Sequence, residues 1–324
     1  MSGSLKTNIV ILYLTGLMLS LVSNCRQEQK GVDLYLDAIM LRELNQNEMA
    51  ISKLNEAIKL DKRFLPAYSL LGEIYADNND YEKSAAAYEK ATQLNIWSFK
   101  DYFNLGRVYQ RSKRFDQASI AFARACELKP DYLEAHINAV RCFYEVKDYN
   151  RALMFSQLAE QIDPNAIEVQ MLLADIFQAQ NDYDGVIDSL EHALQIDSNN
   201  PNTMTSLALA YLKTGQYEPA KELFVSITRI RPDNDTAHQN LGYCYLKLGD
   251  ADSAVESYGR ALQINNKNWQ VHKRLGTAYM LKASKDNDQT LRLKAILHWK
   301  RSLSLEPNQP NREALLKLIE KYSR

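Results

Sequence analysis

The chain has 324 residues, of which 46% are hydrophobic, and this is enough apolar material for a sizeable buried core. Glycine and proline are scarce, with 11 and 8 residues, so the composition favours helices and argues against a sheet-rich fold. The formal net charge of −1 excludes a bulk electrostatic attraction to nucleic acid or to an anionic membrane.

The first residues of the chain are predicted to be a targeting segment. Lys6 is the only charged side chain ahead of an apolar run that extends from Ile9 to Val22. A membrane-spanning helix needs about 20 such residues, whereas the h-region of a signal peptide is shorter. The length of the run therefore favours a signal peptide.

The apolar run ends in Val22-Ser23-Asn24-Cys25, which resembles a bacterial lipobox. The resemblance implies that residues 1–24 are a signal peptide, that Cys25 is lipidated after cleavage, and that residues 25–30 are the lipid anchor and a short spacer. Asn24 departs from the pattern, because Gly, Ala or Ser is usual at that place. An uncleaved anchor that ends in an incidental cysteine is the alternative, and both would tether the chain to a membrane.

From Gly31 onward the sequence repeats itself every 34 residues. In most repeats position 7 is large and apolar, position 8 is small, position 11 is aromatic, positions 20 and 27 are alanine, and position 24 is large. Proline occupies position 32 in four repeats, where it would end a helix. The repeats cover 31–64, 65–98, 99–132, 133–166, 167–200, 201–234, 235–268 and, with an insertion, 269–307.

This pattern resembles the tetratricopeptide repeat. The resemblance implies an all-α fold, a right-handed superhelical solenoid of eight helix pairs over 31–307, closed by a capping helix within 308–324. Leu, Gly and Tyr at positions 7, 8 and 11 share one helix face, and the small residue allows a neighbouring helix to approach closely. Each pair leaves an apolar face that the next pair covers.

Three departures from the repeat lead to further expectations. Asp37 at position 7 of the first repeat predicts a polar outer face that caps the array. In the eighth repeat, residues 283–290 predict a polar, extended turn between the two helices. Beyond it, residues 310–322 predict an amphipathic helix that Asn311 caps. The apolar side of that helix would carry Leu315, Leu318, Ile319 and Tyr322.

Motifs for catalysis or cofactor binding are missing from the sequence. There is no Gly-rich phosphate loop and no H-E-x-x-H, G-x-S-x-G or C-x-x-C. His136, His238 and His272 share position 4 of their repeats, which favours a structural role over metal binding. Cys126, Cys142 and Cys244 fall inside predicted helices, which favours buried hydrophobic side chains. We therefore expect no enzyme activity, no metal and no cofactor.

The family resemblance implies that partners bind a concave groove lined by the first helices, at positions 2, 5, 6, 9, 12 and 13. Asparagines at position 6 could grip a peptide backbone, and basic residues at other groove positions could pair with carboxylates. The alternative is that these positions form an ordinary solvated helix face. The predicted groove residues are Lys100, Phe103, Asn104, Arg107, Arg111, Asn138, Arg141 and Asn240.

By family analogy, the sequence predicts a membrane-tethered scaffold that assists assembly or maintenance of a cell-envelope complex. It would bind a protein or peptide in the groove and a membrane through lipidated Cys25, and it would bind no nucleic acid. Its expected place is the bacterial cell envelope, on the periplasmic face of a membrane or on the outer membrane. Two alternatives remain open, an adaptor on the cytoplasmic side with an uncleaved anchor and a regulatory subunit of an envelope enzyme.

The lipid anchor leads to a direct prediction. Cys25→Ala removes the thiol that would carry the acyl chains, so it should abolish labelling by a clickable palmitate analogue and shift the protein between membrane and soluble fractions. Unchanged labelling of the variant would remove the lipoprotein hypothesis.

Overall fold

A computed structural model describes residues 29–323, which form helices joined by short turns. This range contains no β-strand, and the predicted all-α fold is confirmed. Helix α1 covers residues 29–43. Helices α2 to α17 are Asn47–Leu60, Leu65–Asp77, Tyr81–Leu94, Phe99–Arg111, Phe115–Leu128, Leu133–Glu145, Tyr149–Ile162, Ile167–Gln180, Tyr183–Ile196, Pro201–Thr214, Tyr217–Ile230, Asp235–Lys247, Ala251–Ile264, Trp269–Asp286, Gln289–Leu305 and Arg312–Ser323.

The described helices divide into two compact units, one ending at Pro164 and the other beginning at Asn165. Within the first unit, α2 to α7 each pack on the next helix along the chain, and α1 shares a hydrophobic core with α2 and α3. Within the second unit, α9 to α17 pack in the same sequential order. Contact between neighbours in sequence, rather than between distant segments, is the arrangement of a solenoid.

The turn inside each helix pair has a recurring backbone geometry. One residue in the turn adopts the left-handed conformation, in which asparagine and glycine are the least strained residues. These residues are Asn45, Asn79, Lys113, Lys147, Asn181, Gly215, Gly249 and Asn287. In five pairs an aspartate follows, and its carboxylate accepts a hydrogen bond from a backbone N–H in the first turn of the second helix. The turn sequence therefore ends one helix and begins the other.

The two helices of a pair approach closely at position 8 of the first and position 24 of the second. At Gly72, a Cβ atom would lie 2.7 Å from the Tyr88 ring, and Gly106 and Gly242 have the same relation to Phe122 and Tyr258. Real Cβ atoms do not come so near to a ring, so a side chain at position 8 of these three repeats would force the ring or the second helix to move. Glycine permits the close packing there, whereas other repeats have a slightly larger residue at position 8, such as Ala208.

The structure contradicts the extended turn predicted for residues 283–290. Helix α15 continues to Asp286 and α16 begins at Gln289, so the inserted residues lengthen both helices. Ala283 is fully buried. The segment holds no glycine or proline before Asn287, and its Ala, Ser and Lys residues are compatible with a helix. The left-handed Asn287 and the Asp288 cap confine the turn to two residues.

The outer face predicted for the first repeat is also wrong, because α1 exposes a row of apolar side chains rather than a polar surface. Val32, Leu36, Met40 and Leu44 are all exposed. At the other end, α17 packs on α16 through Leu315 and Ile319, as expected, whereas Leu318 is exposed. A single polar residue, Asp37, did not make the whole face polar.

The predicted signal peptide, the lipobox and Cys25 lie outside the described residues. Among the helices that are described, none is long and apolar enough to cross a membrane.

The close approach at position 8 can be tested with two glycines of the second unit. Gly242→Ala should destabilise the protein by about 1–3 kcal/mol, because the new Cβ would overlap the Tyr258 ring. Gly259→Ala is the matched control, since nothing lies within 4 Å of its Cβ position, and it should stabilise α14 by about 0.5–1 kcal/mol. Thermal unfolding midpoints that move in the same direction would contradict this packing.

Candidate functional site

In the first unit, an open pocket of about 480 Å³ lies against the first helices of three successive pairs. Its walls come mainly from α1, α3 and α5, and Tyr88 of α4 also lines it. The lining residues are Arg42, Glu73, Ala76, Asp77, Asn79, Tyr88, Asn104, Arg107, Val108 and Arg111. Three predicted groove residues, Asn104, Arg107 and Arg111, therefore meet in one pocket.

One side of the pocket is an ion-pair network centred on Glu73. Arg42 Nη1 lies 2.6 Å from Glu73 Oε2, Arg42 Nη2 lies 3.0 Å from Asp77 Oδ2, and Lys100 Nζ lies 2.5 Å from Glu73 Oε1. Burial alone would raise the pKa of Glu73, but the hydrogen bonds from Lys100 and Arg42 outweigh it and lower that pKa below its ordinary value. Predicted groove residue Lys100 is thus already paired with a carboxylate.

The other side of the pocket is formed by Arg107 and Arg111, one helical turn apart on α5. Both side chains are exposed, and within residues 29–323 neither forms an ion pair or a hydrogen bond. Glu73 and Asp77 already pair with Arg42 and Lys100. The guanidinium groups of Arg107 and Arg111 therefore give the pocket an unbalanced positive charge. Asn104, one turn earlier on the same helix, adds an amide that can both donate and accept a hydrogen bond.

The structure contradicts the expectation that Phe103 faces the groove. Phe103 is only 7% exposed and packs against Phe99, Phe122 and Tyr132 with ring centroids 5.4–5.7 Å apart. Position 5 of this repeat points between the helices, where a large aromatic side chain gains most from burial.

Two other predicted groove residues, Asn138 and Arg141, lie on α7 rather than on the helices that form most of the pocket wall. Asn138 is buried, and Arg141 is exposed.

The second unit has a pocket of its own, about 630 Å³ in volume, and the last predicted groove residue, Asn240, lines it. Tyr243 lies at the same wall, with the Arg274 guanidinium 4.6 Å and the Lys247 ammonium 5.6 Å from its ring centroid. Lys213 adds a further cation to the lining. A positively charged rim therefore surrounds an aromatic ring, which is a favourable cation–π arrangement.

Lys213, Tyr243 and Lys247 were missed in the sequence. The repeat register could have identified two of them. Tyr243 and Lys247 occupy positions 9 and 13 of the seventh repeat, the positions that Arg107 and Arg111 occupy in the third repeat. The pattern is visible only when the same two positions are compared across repeats of both units.

Two histidines meet in the eighth repeat, His272 of α15 and His298 of α16. His272 Nδ1 lies 2.9 Å from His298 Nδ1, and His272 Nε2 lies 3.1 Å from the carbonyl oxygen of Asn266. Burial is the main cause that lowers the pKa of both rings, and it lowers the pKa of His298 to about 4. Neutral rings are therefore favoured at pH 7. No group of three or more metal-ligating side chains occurs in residues 29–323.

Models of the tetratricopeptide repeat match four stretches of the chain, residues 66–96, 99–132, 177–242 and 236–268. These stretches lie in both units, and the chain therefore contains tetratricopeptide repeats. No curated protein matches the chain.

Solved structures share the fold at low sequence identity. The C-terminal part of a tetratricopeptide repeat-containing protein from Cytophaga hutchinsonii is 15% identical, with a TM-score of 0.61 over 76% of this chain and 98% of that one. YrrB, described as a tetratricopeptide-repeat protein with an unusual peptide-binding site, is 20% identical, with a TM-score of 0.52 over 63% of this chain and 98% of that one. In a structure of Naa15/Naa10 bound to HypK-THB, the matching chain is 15% identical, with a TM-score of 0.60. That match covers 89% of this chain and 44% of the other.

The ion-pair network predicts a pH-dependent stability. Because the pKa of Glu73 is lowered in the folded state, its carboxylate contributes stability above its unfolded pKa of about 4.3, and this contribution is lost as pH falls through the folded value. Glu73→Gln should therefore unfold at a lower temperature than wild type at neutral pH, and the difference should shrink below about pH 4.

Glu56→Gln, which changes an exposed carboxylate on α2, serves as the control and should behave as wild type at every pH. A deficit of Glu73→Gln that is the same at neutral and acidic pH would show that the ionised carboxylate is not what stabilises this wall.

Proposed function

We propose that this chain of tetratricopeptide repeats is a protein-binding scaffold, which holds a partner protein or peptide against the exposed surface of its first helices. The observation that carries the proposal is the pair Arg107 and Arg111. Two exposed cations without a partner in the described chain line a pocket whose own carboxylates are already neutralised. Such a pocket is complementary to a carboxylate from outside.

The chemistry of the first-unit pocket favours an extended acidic segment as the ligand. A guanidinium group binds a carboxylate in a bidentate geometry, so Arg107 and Arg111 could each hold one acidic side chain. The Asn104 amide could pair with the backbone between them, because it offers a donor and an acceptor. A volume of about 480 Å³ is sufficient for a few side chains of a peptide but small for a folded domain.

The pocket of the second unit supports the same class of partner. Lys213, Lys247 and Arg274 supply cations, while Tyr243 supplies an apolar surface beside them. An acidic segment that also carries an apolar side chain would complement this rim. Solved relatives support a polypeptide ligand, since YrrB is described as having a peptide-binding site and the Naa15/Naa10 structure is of an assembly.

The scaffold would be tethered to a membrane of the bacterial cell envelope by lipidated Cys25. The support is the sequence Val22-Ser23-Asn24-Cys25 after an apolar run of signal-peptide length. Two or more acyl chains would hold such a protein stably, because each buried CH₂ contributes about 0.8 kcal/mol. A tethered array would present its pockets to partners that assemble or maintain an envelope complex, a role without catalysis.

A fluorescent peptide tests the proposed ligand class. The probe is a labelled ten-residue peptide of alternating glutamate and alanine, measured by fluorescence anisotropy with the purified protein. Arg107→Gln/Arg111→Gln should weaken binding by roughly tenfold or more, because charge-assisted hydrogen bonds contribute about 1.5–3 kcal/mol each. The affinity should also fall as salt is raised.

Lys59→Gln/Lys90→Gln is the matched control, since it removes two exposed cations from second helices and changes the net charge equally. A peptide of alternating glutamine and alanine controls for the carboxylates. Equal weakening by both double variants, or equal binding of both peptides, would contradict an acidic ligand at Arg107 and Arg111.

A further inference from the structure

The first helix exposes a position that every later first helix buries. Position 10 of the repeat is Met40 in α1, and Met40 is 55% exposed. In α3 the same position is Ile74, which is buried in a core shared with residues of α1 and α2. The later residues at this position are all at most 5% exposed, namely Val108, Cys142, Ile176, Ala210, Cys244 and Ala278. The surface of α1 around Met40 is therefore a packing face without a neighbour in the described chain.

The apolar side chains of this face follow one another at intervals of four residues, with Val32, Leu36 and Met40 on α1 and Leu44 in the turn after it. Asp33, two turns before Met40 on the same side of the helix, adds one exposed carboxylate to this surface. Met49, at the start of α2, is also exposed and apolar. We call this surface the N-terminal face, formed by Val32, Leu36, Met40, Leu44 and Met49. Monomeric proteins rarely leave a contiguous apolar surface of this kind in water, and such surfaces mark interaction sites.

The chain that precedes the N-terminal face limits what can cover it. Residue 29 is already in α1, and Cys25 lies only four residues before it. Four residues extend at most about 14 Å, at roughly 3.5 Å per residue. A lipid attached to Cys25 would thus hold the beginning of α1 within a short distance of the acyl chains. Val32 lies on the next turn of the same helix.

We propose that the N-terminal face lies on the lipid surface that anchors the protein, with Leu36, Met40 and Leu44 in contact with the membrane. This proposal rests on the tether proposed above and adds an orientation to it. The array would start at the bilayer with its first helix in the interface, rather than hang free on a flexible spacer. An interfacial helix of this type buries its apolar row at the boundary of headgroups and acyl chains.

Charges on α1 specify which lipid surface fits. Lys30, Asp33 and Glu43 are exposed on this helix. Asp37 forms an ion pair with Lys53 of α2, and Arg42 pairs with Glu73 and Asp77 of α3. Contact is therefore apolar rather than electrostatic, and a zwitterionic bilayer fits better than a strongly anionic one.

A fluorophore in the N-terminal face tests the contact. The full chain is purified from membranes of a bacterium that expresses it and reconstituted into phosphatidylcholine vesicles. Met40→Cys is labelled with the polarity-sensitive dye NBD. Cys126, Cys142 and Cys244 are buried, and labelling of the chain without the added cysteine measures any reaction at Cys25. Ile120→Cys, at an exposed apolar position of α6, is the control. The emission of NBD at residue 40 should shift to the blue and be quenched by nitroxide-labelled lipid, whereas NBD at residue 120 should do neither.

The outcomes separate this inference from the tether. If the protein floats with the vesicles but NBD at residue 40 behaves as at residue 120, the orientation is wrong and the tether stands. A blue shift without nitroxide quenching would mean that protein covers the face, either a second copy or residues 9–22, and would also overturn the inference. If the protein does not float, both the tether and the inference fail. In vesicles, adding Leu36→Gln to the labelled variant should reduce the quenching, because it removes the neighbouring apolar contact.

Discussion

The structure depends on one recurring contact, in which a large side chain at position 24 of the second helix packs onto a small residue at position 8 of the first. At Gly72, Gly106 and Gly242 the aromatic ring opposite would not tolerate even a methyl group. This contact sets the distance between the helices of a pair. Because the same spacing returns at the next pair, the remaining apolar positions meet their neighbours in a constant register.

A fixed register separates the residues that stabilise the array from those that can bind a ligand. Positions 8, 20, 24 and 27 are held by packing, whereas positions 6, 9 and 13 of α5 and α13 stay at the surface. Asn104, Arg107 and Arg111 occupy those three positions in the first unit, and Asn240, Tyr243 and Lys247 occupy them in the second. The recognition surface can therefore change in charge and aromatic content without a cost in packing.

The fold was predictable from the sequence because the residue types that make the contact between positions 8 and 24 recur in repeat after repeat. The first helices begin at Leu65, Phe99 and Leu133, where the register starts each repeat. The site was predictable only in part, since a surface position does not reveal its partners. Lys100 was predicted as a groove residue, but its contact with Glu73 depends on a side chain one repeat earlier.

The errors share a physical cause, which is that a repeat pattern describes an average environment. Phe103 occupies a nominal groove position, yet its ring is large enough to reach the aromatic cluster between the helices. The insertion in the eighth repeat reads as polar, but polar residues with good helix propensity extend α15 and α16. Asp37 suggested a polar end, but a single carboxylate, which pairs with Lys53, leaves the neighbouring Leu36 and Met40 exposed.

The central claim is that a partner polypeptide contacts the first helices rather than the second ones. Site-specific photo-crosslinking in cells that express the chain tests it most directly, with p-benzoylphenylalanine introduced at Arg111 of α5 and, as the comparison, at Gln93 of α4, which is also exposed. The account predicts a discrete crosslinked partner from residue 111 and none from residue 93. Crosslinking of the same partner from residue 93 but not from residue 111 would contradict it.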